Sequence, residues 1–373
     1  MKKILMCLLG LLMLAACGDD EGDWPTMDDR MPSVNVIYSL SGPGDNGYND
    51  MFVNGLAHFC DSANVALHTL APTSMDDAEA MVKQWMAHTE GNGQRAMLVL
   101  AGSDYEAMAA KLPPMEDENR CILLLESSRQ DMPKGVATAC IDRKGVMYLA
   151  GAMSARTPVY ILAAMPDDAV VGPAIKAFCA GYDAHEQGYR VEDVHFLSNT
   201  LTGYSMPNGA YKYMAELMHL RQEMSFATSD LLDSRYLLLP MAGNSNTGIY
   251  YHLMQSFDML QSFQGVIGMD VDYSGRLGTL PFSVVIKLDA LLRDNIQQWI
   301  GGAALPSYHT YTMAEGYADV VVNPTFDSSS IYAMQRVTIE DEDGEFTYID
   351  YLTADYWQQM RNNYLREAEE YEK

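Results

Sequence analysis

The segment that follows the first apolar run of the chain concentrates side chains that can bind a small ligand. Val34–Phe59 reads VNVIYSLSGPGDNGYNDMFVNGLAHF, a strand pattern, a glycine-rich loop and a helix pattern, and it carries Ser39, Asp45, Tyr48 and Asn49. In doubly wound α/β domains, ligands bind outside the carboxyl ends of the strands, where these residues would lie. The alternative is an ordinary strand-to-helix turn in which Asp45 caps the helix.

Two later strand patterns also end in polar loops. Ala96–Ala101 runs into a loop with Ser103, and Val266–Met269 ends at Asp270. In doubly wound α/β domains the loops at these strand ends border the ligand. We therefore predict that Ser103 and Asp270 face the same ligand as the first loop.

The elements that would position these residues alternate between strand and helix patterns in two successive runs, with a break near Thr157-Pro158. This order predicts an α/β fold with two lobes, each a mostly parallel sheet flanked by helices. The hinge is expected near Thr157-Pro158, Tyr273–Gly278 and Ala304–Ser307. The predicted division is 33–157 plus 279–303 for the N-terminal lobe, 158–278 plus 304–352 for the C-terminal lobe, and 353–373 for a terminal helix.

Four later patterns complete the prediction. Ser283–Ile300 predicts one amphipathic helix that ends at Gly301-Gly302. Thr310–Val322 and Phe346–Leu352 predict strands, and Tyr356–Tyr371 predicts a charged helix lying on the surface.

The first 17 residues, MKKILMCLLGLLMLAAC, have a basic start, an apolar stretch too short to span a bilayer and small residues before Cys17. Leu-Ala-Ala-Cys resembles the bacterial lipobox, which implies a signal peptide and lipidation of Cys17. Residues 18–32 are acidic and predict a flexible tether, and they resemble the surface-export signal of Bacteroides-like bacteria. We expect a membrane-anchored lipoprotein of the cell envelope that faces the periplasm or the cell surface; the alternative is a plain secretory signal.

Composition excludes several classes of function. The formal net charge of −26 argues against nucleic acid as a partner. Cys60, Cys121, Cys140 and Cys179 follow no metal-binding spacing, and the sequence leaves their disulfide state open. Asp270 and Asp272 lack the further ligands that a metal needs.

The common hydrolase, zinc-protease, Walker and dinucleotide-binding motifs do not occur. We therefore expect a binding protein with no cofactor, no metal and no catalytic residues. The alternative is a hydrolase that uses a carboxylate in the cleft.

Four segments, in order, resemble the basic membrane protein family of bacterial lipoproteins, which are substrate-binding proteins of nucleoside transporters with a type I periplasmic-binding fold. The similar segments are Gly42–Asn49, Gly145–Ala155 with its Tyr-Leu-Ala-Gly, Ile175–Gly181 and Val266–Lys287. The resemblance implies a purine base between aromatic rings and ribose hydroxyls held by an acid and a lysine.

Several residues of this chain match those positions. Tyr48 matches a stacking aromatic, Asp270 the ribose-binding acid and Lys287 the lysine beside it. Gly243 and Asn244 match a glycine loop close to the ligand.

Two positions depart from the family pattern. Ser39 stands where the family has an acid that recognises the base, and Tyr204 is only the nearest aromatic to the second stacking position.

The resemblance implies a receptor that binds a nucleoside-like ligand between its lobes and delivers it to an ABC permease. The alternative is a surface capture or sensory receptor of the same fold with a different ligand.

Overall fold

The computed structural model describes residues 31–44, 47–88, 94–186, 188–228, 236–255, 264–274, 280–326, 336–340, 346–350 and 353–373. The predicted signal peptide with Cys17, nearly all of the tether and Asp45 lie outside the described residues. Those predictions stay predictions.

The first sheet is parallel throughout, in the order β12-β5-β4-β3-β1-β2. Its central strands are buried along their whole length, which explains why β3 and most of β4 read as continuous apolar runs rather than as alternating patterns. The strands are β1 (Ser33–Tyr38), β2 (Ala66–Leu70), β3 (Ala96–Ala101), β4 (Arg120–Leu125), β5 (Val136–Ile141) and β12 (Tyr308–Tyr311).

Helices cover both faces of the first sheet. One face packs against α1 and α8, and the other packs against α2 through Ala78, Val82 and Trp85. Each helix has an apolar face at helical spacing, which explains its burial on one side. These helices are α1 (Tyr48–Ala63), α2 (Met75–Ala87), the short α3 (Glu106–Ala109) and α8 (Leu288–Ile300).

The second sheet consists of two adjoining parts, β7-β6-β8-β9 and β10-β11-β13. They meet where β9 leads into β10, and Ile267 N donates to Leu238 O at 2.9 Å across the junction. All pairs are parallel except that of β11 with β13. The strands are β6 (Val159–Ala163), β7 (Val191–Phe196), β8 (Tyr236–Met241), β9 (Gln264–Val266), β10 (Gly268–Asp270), β11 (Phe282–Ile286) and β13 (Ala318–Val322).

Helices also cover both faces of the second sheet. On one face α4 crosses α5 so closely that a Cβ on Gly151 would lie 2.0 Å from Phe178 O, so only glycine permits this approach. On the other face lie α6 and α7, and α9 packs on α4. These helices are α4 (Lys144–Ser154), α5 (Val171–Ala184), α6 (Pro207–Thr228), α7 (Asn246–Gln255) and α9 (Ala354–Glu372).

The structure corrects the predicted helix Ser283–Ile300. Phe282–Ile286 is a strand between β10 and β13, and the helix begins only at Leu288. The β-branched run Val284, Val285 and Ile286 suits a strand, and pairing on both sides decides the outcome.

The strand pairing also differs from the predicted division into lobes. β12 extends the first sheet beside β5, whereas the sequence predicts it in the C-terminal lobe, and β11 joins the second sheet, whereas the sequence predicts it in the N-terminal lobe. α4 packs against α5 of the second sheet. These pairings join segments far apart in sequence, and local periodicity carries no information about them.

The C-terminal region is only partly as predicted. Thr310–Val322 contains the end of β12 and the whole of β13 rather than one strand. β14 (Arg336–Glu340) and β15 (Phe346–Asp350) form an antiparallel pair. α9 lies on the surface with one face packed: Tyr356, Trp357 and Met360 are buried, whereas residues such as Gln358, Asn362 and Arg366 are exposed.

Within the described ranges, no helix combines the length and apolar character that crossing a membrane requires. The thiols of Cys60, Cys121, Cys140 and Cys179 are free.

Candidate ligand-binding cavity

A cavity of about 470 Å³ lies at the carboxyl ends of strands from both sheets. Its lining comes from the segments after β1, β3, β4 and β5 on one side and after β6, β7 and β8, with the end of β10, on the other. This is the position at which α/β folds bind ligands.

The structure brings most of the sequence-predicted residues to this one cavity. The predicted residues that line it are Ser39, Tyr48, Asn49, Ser103, Tyr204, Gly243 and Asp270. Asn244 and Lys287 are not among the lining residues, and Asp45 is outside the described part. Lys287 lies between β11 and α8, where its backbone N–H donates to Tyr317 O at 2.8 Å.

A hydrogen-bonded network fixes the loop after β1. Ser39 Oγ donates to Asn49 Oδ1 at 3.1 Å, and Asn49 Nδ2 donates to Ser41 Oγ at 3.0 Å. The two serine oxygens are 2.7 Å apart. Both ends of the buried Asn49 amide therefore hold the loop in place, in addition to bordering the cavity.

Asp104 anchors this loop to the end of β3. Its Oδ2 accepts from Leu40 N at 3.0 Å. A Cβ on Gly102 would lie 2.4 Å from Asp104 Oδ1, so glycine makes room for the carboxylate. Burial raises the pKa of Asp104, against the lowering effect of its backbone hydrogen bonds.

A buried ion pair lies where β4 and β5 end. Arg143 Nη1 donates to Glu126 Oε2 and, at 3.3 Å, to Ile141 O. The side chains of Arg143 and Glu126 are 9% and 5% exposed. Burial lowers the pKa of Arg143, but the charge and hydrogen bond of Glu126 and the charge of Asp270 raise it more, so the net shift is upward.

Tyr48, at the start of α1, lines the same cavity as this ion pair. Its pKa is raised well above the usual value, mainly by burial and then by the negative charge of Glu126, against an opposing effect of Arg143. The phenol is therefore neutral at physiological pH and offers a half-buried ring as a stacking surface.

On the opposite side of the cavity, the side chains of Asp168 and Tyr204 are hydrogen-bonded to each other. Asp168 Oδ1 accepts from Val170 N and Val171 N, each at 2.8 Å, and Tyr204 OH donates to Asp168 Oδ2 at 2.7 Å. Burial and the charge of Asp168 raise the pKa of Tyr204. A Cβ on Gly243, whose φ is +53°, would lie 2.9 Å from the Tyr204 ring, so this glycine leaves space for the aromatic side chain.

Asp270 ends β10 with a φ of +70°, in the left-handed region. Non-glycine residues adopt this conformation rarely, although aspartate does so more often than most. Where they do, they are concentrated at functional sites. The charge of Asp270 acts on Tyr48, Arg143 and Tyr204. Asp270 is thus electrostatically coupled to both sides of the cavity.

Sequence reasoning missed four charged residues of the lining: Asp104, Glu126, Arg143 and Asp168. Glu126 directly follows β4, Arg143 lies two residues after β5, and Asp104 is in the loop that provided Ser103, so the rule that strand ends face the ligand would have found them. With Asp270, the described lining carries four carboxyl groups and one guanidinium, a balance that opposes anionic ligands.

Nowhere in the described part do three or more His, Cys, Asp or Glu side chains form a group suited to a metal ion.

No family model matches the chain, and no curated protein matches it. Among solved structures, it is similar to an ABC transporter solute-binding protein from Aeropyrum pernix K1, with 17% identity, a TM-score of 0.66, and 91% of this chain and 90% of that chain covered. It is also similar to a transcriptional activator of the comK gene from Bacillus halodurans, with 14% identity, a TM-score of 0.57, and 90% and 98% covered.

A third similar structure is the periplasmic binding protein of the arabinose ABC transporter from Shewanella sp. ANA-3, bound to L-arabinofuranose. The identity is 10%, the TM-score 0.52, and the coverage 80% of this chain and 94% of that one. These likenesses and the sheet topology show the predicted fold: α/β, with parallel sheets flanked by helices, of the type I periplasmic-binding class. At identities this low they define the fold alone.

Proposed function

We propose that this chain is a solute-binding protein that captures a small neutral ligand, a nucleoside, in the cavity between its two sheets. The observation that carries the proposal is that Tyr48, Tyr204 and Asp270 line one cavity at the carboxyl ends of the strands. Solved proteins of this fold include an ABC transporter solute-binding protein and an arabinose-binding protein, which supports a transport role.

The lining suits a molecule that has both a ring and hydroxyl groups. Tyr48 and Tyr204 offer aromatic surfaces for a base, and Asp270 can accept hydrogen bonds from a ribose. The resemblance to the basic membrane protein family supports this assignment. Lys287, which matches that family's lysine, is not among the lining residues. Among the described lining residues, the cation is Arg143.

The location of the protein follows from the N-terminal sequence. In our proposal Cys17 is lipidated and anchors the protein in the cell envelope, and an ABC permease receives the ligand. A peptide from the mature protein that carries the mass of a lipid on Cys17 would support the anchor. Labelling of the protein on intact cells would instead favour the alternative, a surface capture receptor.

A thermal-shift panel tests the binding function. Nucleosides at millimolar concentration are expected to raise the melting temperature of the purified protein, whereas nucleoside monophosphates are not, because the lining is acidic. Pentoses and hexoses form the second arm, because the arabinose-binding protein shares this fold. Stabilisation by sugars without stabilisation by nucleosides would contradict the proposed ligand.

A matched pair of variants locates the binding site. Asp270→Asn removes the charge but tolerates the left-handed backbone, and it is expected to abolish the nucleoside-dependent shift. Asp272→Asn is the control, because Asp272 is exposed, caps its own turn through Ser274 N and does not line the cavity. Equal shifts in the two variants would place the ligand elsewhere.

A further inference from the structure

The ion pair at the end of β4 and β5 has hydrogen-bonding capacity that the described protein leaves unused. Glu126 Oε1 is buried and has no hydrogen-bond partner in the described part of the chain, whereas Oε2 binds Arg143. The hydrogen bonds that Arg143 makes there all use Nη1, although a guanidinium has five N–H donors. Both residues line the cavity.

A buried carboxylate oxygen without a donor is costly, so a ligand that supplies an N–H or O–H there gains affinity. Beside this acceptor, the remaining N–H groups of Arg143 are donors. The pair thus presents one acceptor next to donors, and its complement is a ligand edge with a donor next to an acceptor.

The surroundings favour a planar edge over a pair of hydroxyl groups. Carboxylate and guanidinium are both planar and bind planar partners side by side. Tyr48 lines the same cavity as Glu126 and Arg143, so the edge of a base stacked on its ring is available to the pair. Asp270, on the opposite sheet, remains for the hydroxyl groups.

We infer that Glu126 and Arg143 together recognise the lactam edge of a nucleobase, such as N1–H and O6 of hypoxanthine or N3–H and O4 of uracil. This inference rests on the proposed function and makes Glu126 the base-recognising acid that Ser39 cannot be. In this arrangement Glu126 Oε1 accepts from the lactam N–H and Arg143 donates to the lactam oxygen.

The first test changes the ligand and leaves the protein intact. Calorimetric titration of the full chain compares inosine with 1-methylinosine and uridine with 3-methyluridine. Methylation removes the lactam N–H, and in at least one of the two pairs it is expected to weaken binding at least tenfold, because a site built to hydrogen-bond a group rejects a ligand that lacks it.

The second test changes the acceptor. In Glu126→Gln the amide oxygen faces the Arg143 donor, which leaves the NH2 group toward the cavity. The variant is expected to bind inosine more weakly and to lose the discrimination between inosine and 1-methylinosine. The ratio of the dissociation constants of 1-methylinosine and inosine therefore falls toward one. Glu106→Gln is the matched control, because Glu106 accepts from Ser127 Oγ at 2.7 Å in the same region but does not line the cavity.

The outcomes separate the inference from the proposed function. Equal binding of methylated and unmethylated nucleosides overturns the inference and leaves the function standing. If Glu126→Gln leaves the ratio of the dissociation constants of 1-methylinosine and inosine unchanged, the ion pair has a purely structural role and the inference is overturned. If free ribose binds as tightly as inosine, the pair recognises hydroxyl groups and the inference is overturned. If no nucleoside binds, the inference and the proposed function are both overturned.

Discussion

The two sides of the cavity differ in chemistry. The first-sheet wall is polar and consists of Ser39, Ser41, Tyr48, Asn49, Ser103, Asp104, Glu126 and Arg143, with Leu40 and Gly102. The second-sheet wall is largely apolar and contains Val170, Val171, Leu201, Met206, Pro240, Met241 and Met269, with Asp168, Tyr204 and Asp270 as its principal polar groups.

This difference separates two tasks. The polar groups of the first-sheet wall are connected by hydrogen bonds, so they are already in position before a ligand arrives. On the second-sheet wall, Leu201 and Met206 are 46% and 36% exposed and gain from burial when a ligand fills the cavity. In our proposal the first-sheet wall therefore selects the ligand, and the second-sheet wall covers it.

The largest expected effect comes from breaking the buried ion pair of the first-sheet wall. Arg143→Ala leaves the Glu126 carboxylate buried without its partner and is expected to lower the free energy of unfolding by about 3–5 kcal/mol. Urea denaturation measures this. Arg129→Ala, which removes an exposed pair with Asp131, is the control and should leave stability unchanged. A similar small effect in both variants would contradict a preformed wall.

The next effect concerns affinity rather than stability. Tyr48→Ala removes the stacking surface of the first-sheet wall and is expected to weaken nucleoside binding by about 2 kcal/mol, roughly 30-fold, in calorimetric titration. Tyr251→Ala serves as the control, because Tyr251 is 53% exposed and outside the cavity lining. A loss below twofold in Tyr48→Ala would show that the ring does not contact the base.

A smaller effect is expected on the second-sheet wall. Tyr204→Phe removes the hydroxyl group that donates to Asp168 Oδ2 and should lower the free energy of unfolding by about 1 kcal/mol. Asp168 keeps its bonds to Val170 N and Val171 N, so the loop remains in place. Thermal and urea unfolding would measure the change; a loss as large as that in Arg143→Ala would remove the contrast between the walls.

The smallest effect is a dependence on pH. Burial raises the pKa of Asp104 above its ordinary value of 3.8, so between the two values the folded protein binds more protons than the unfolded chain. The contribution of Asp104 to stability therefore falls as the pH rises through this window. Asp104→Asn is expected to be more stable than the unchanged protein at pH 7, by about 0.5–1 kcal/mol, and to lose this advantage toward pH 4. A difference independent of pH would contradict the burial of this carboxylate.

The sequence predicts the regular part of this fold well, because burial leaves a local pattern. The predicted bounds of β3, Ala96–Ala101, agree with the structure, and the predicted start of β1 at Val34 differs from the observed start by one residue. Where pairing with a distant strand decides the outcome, the local pattern is insufficient. Phe282–Ile286 and β12 are the examples, since their neighbours are fixed only by the three-dimensional sheet.

For the site, the sequence identifies types of residue but not their partners. Tyr48 and Asp270 could be placed at strand and helix ends, and the structure brings them to one cavity. The pairing of Glu126 with Arg143 could not be foreseen, because the two follow different strands and only parallel packing of β4 and β5 brings them together. Lys287 matched a motif position, yet the lining does not include it.

A crystal structure of the protein with inosine tests the central claim most directly. The account predicts one inosine in the cavity, with its base on Tyr48, its lactam edge at Glu126 and Arg143, and its ribose hydroxyl groups toward Asp270. Inosine bound outside the cavity, or an empty cavity at saturating inosine, would contradict it.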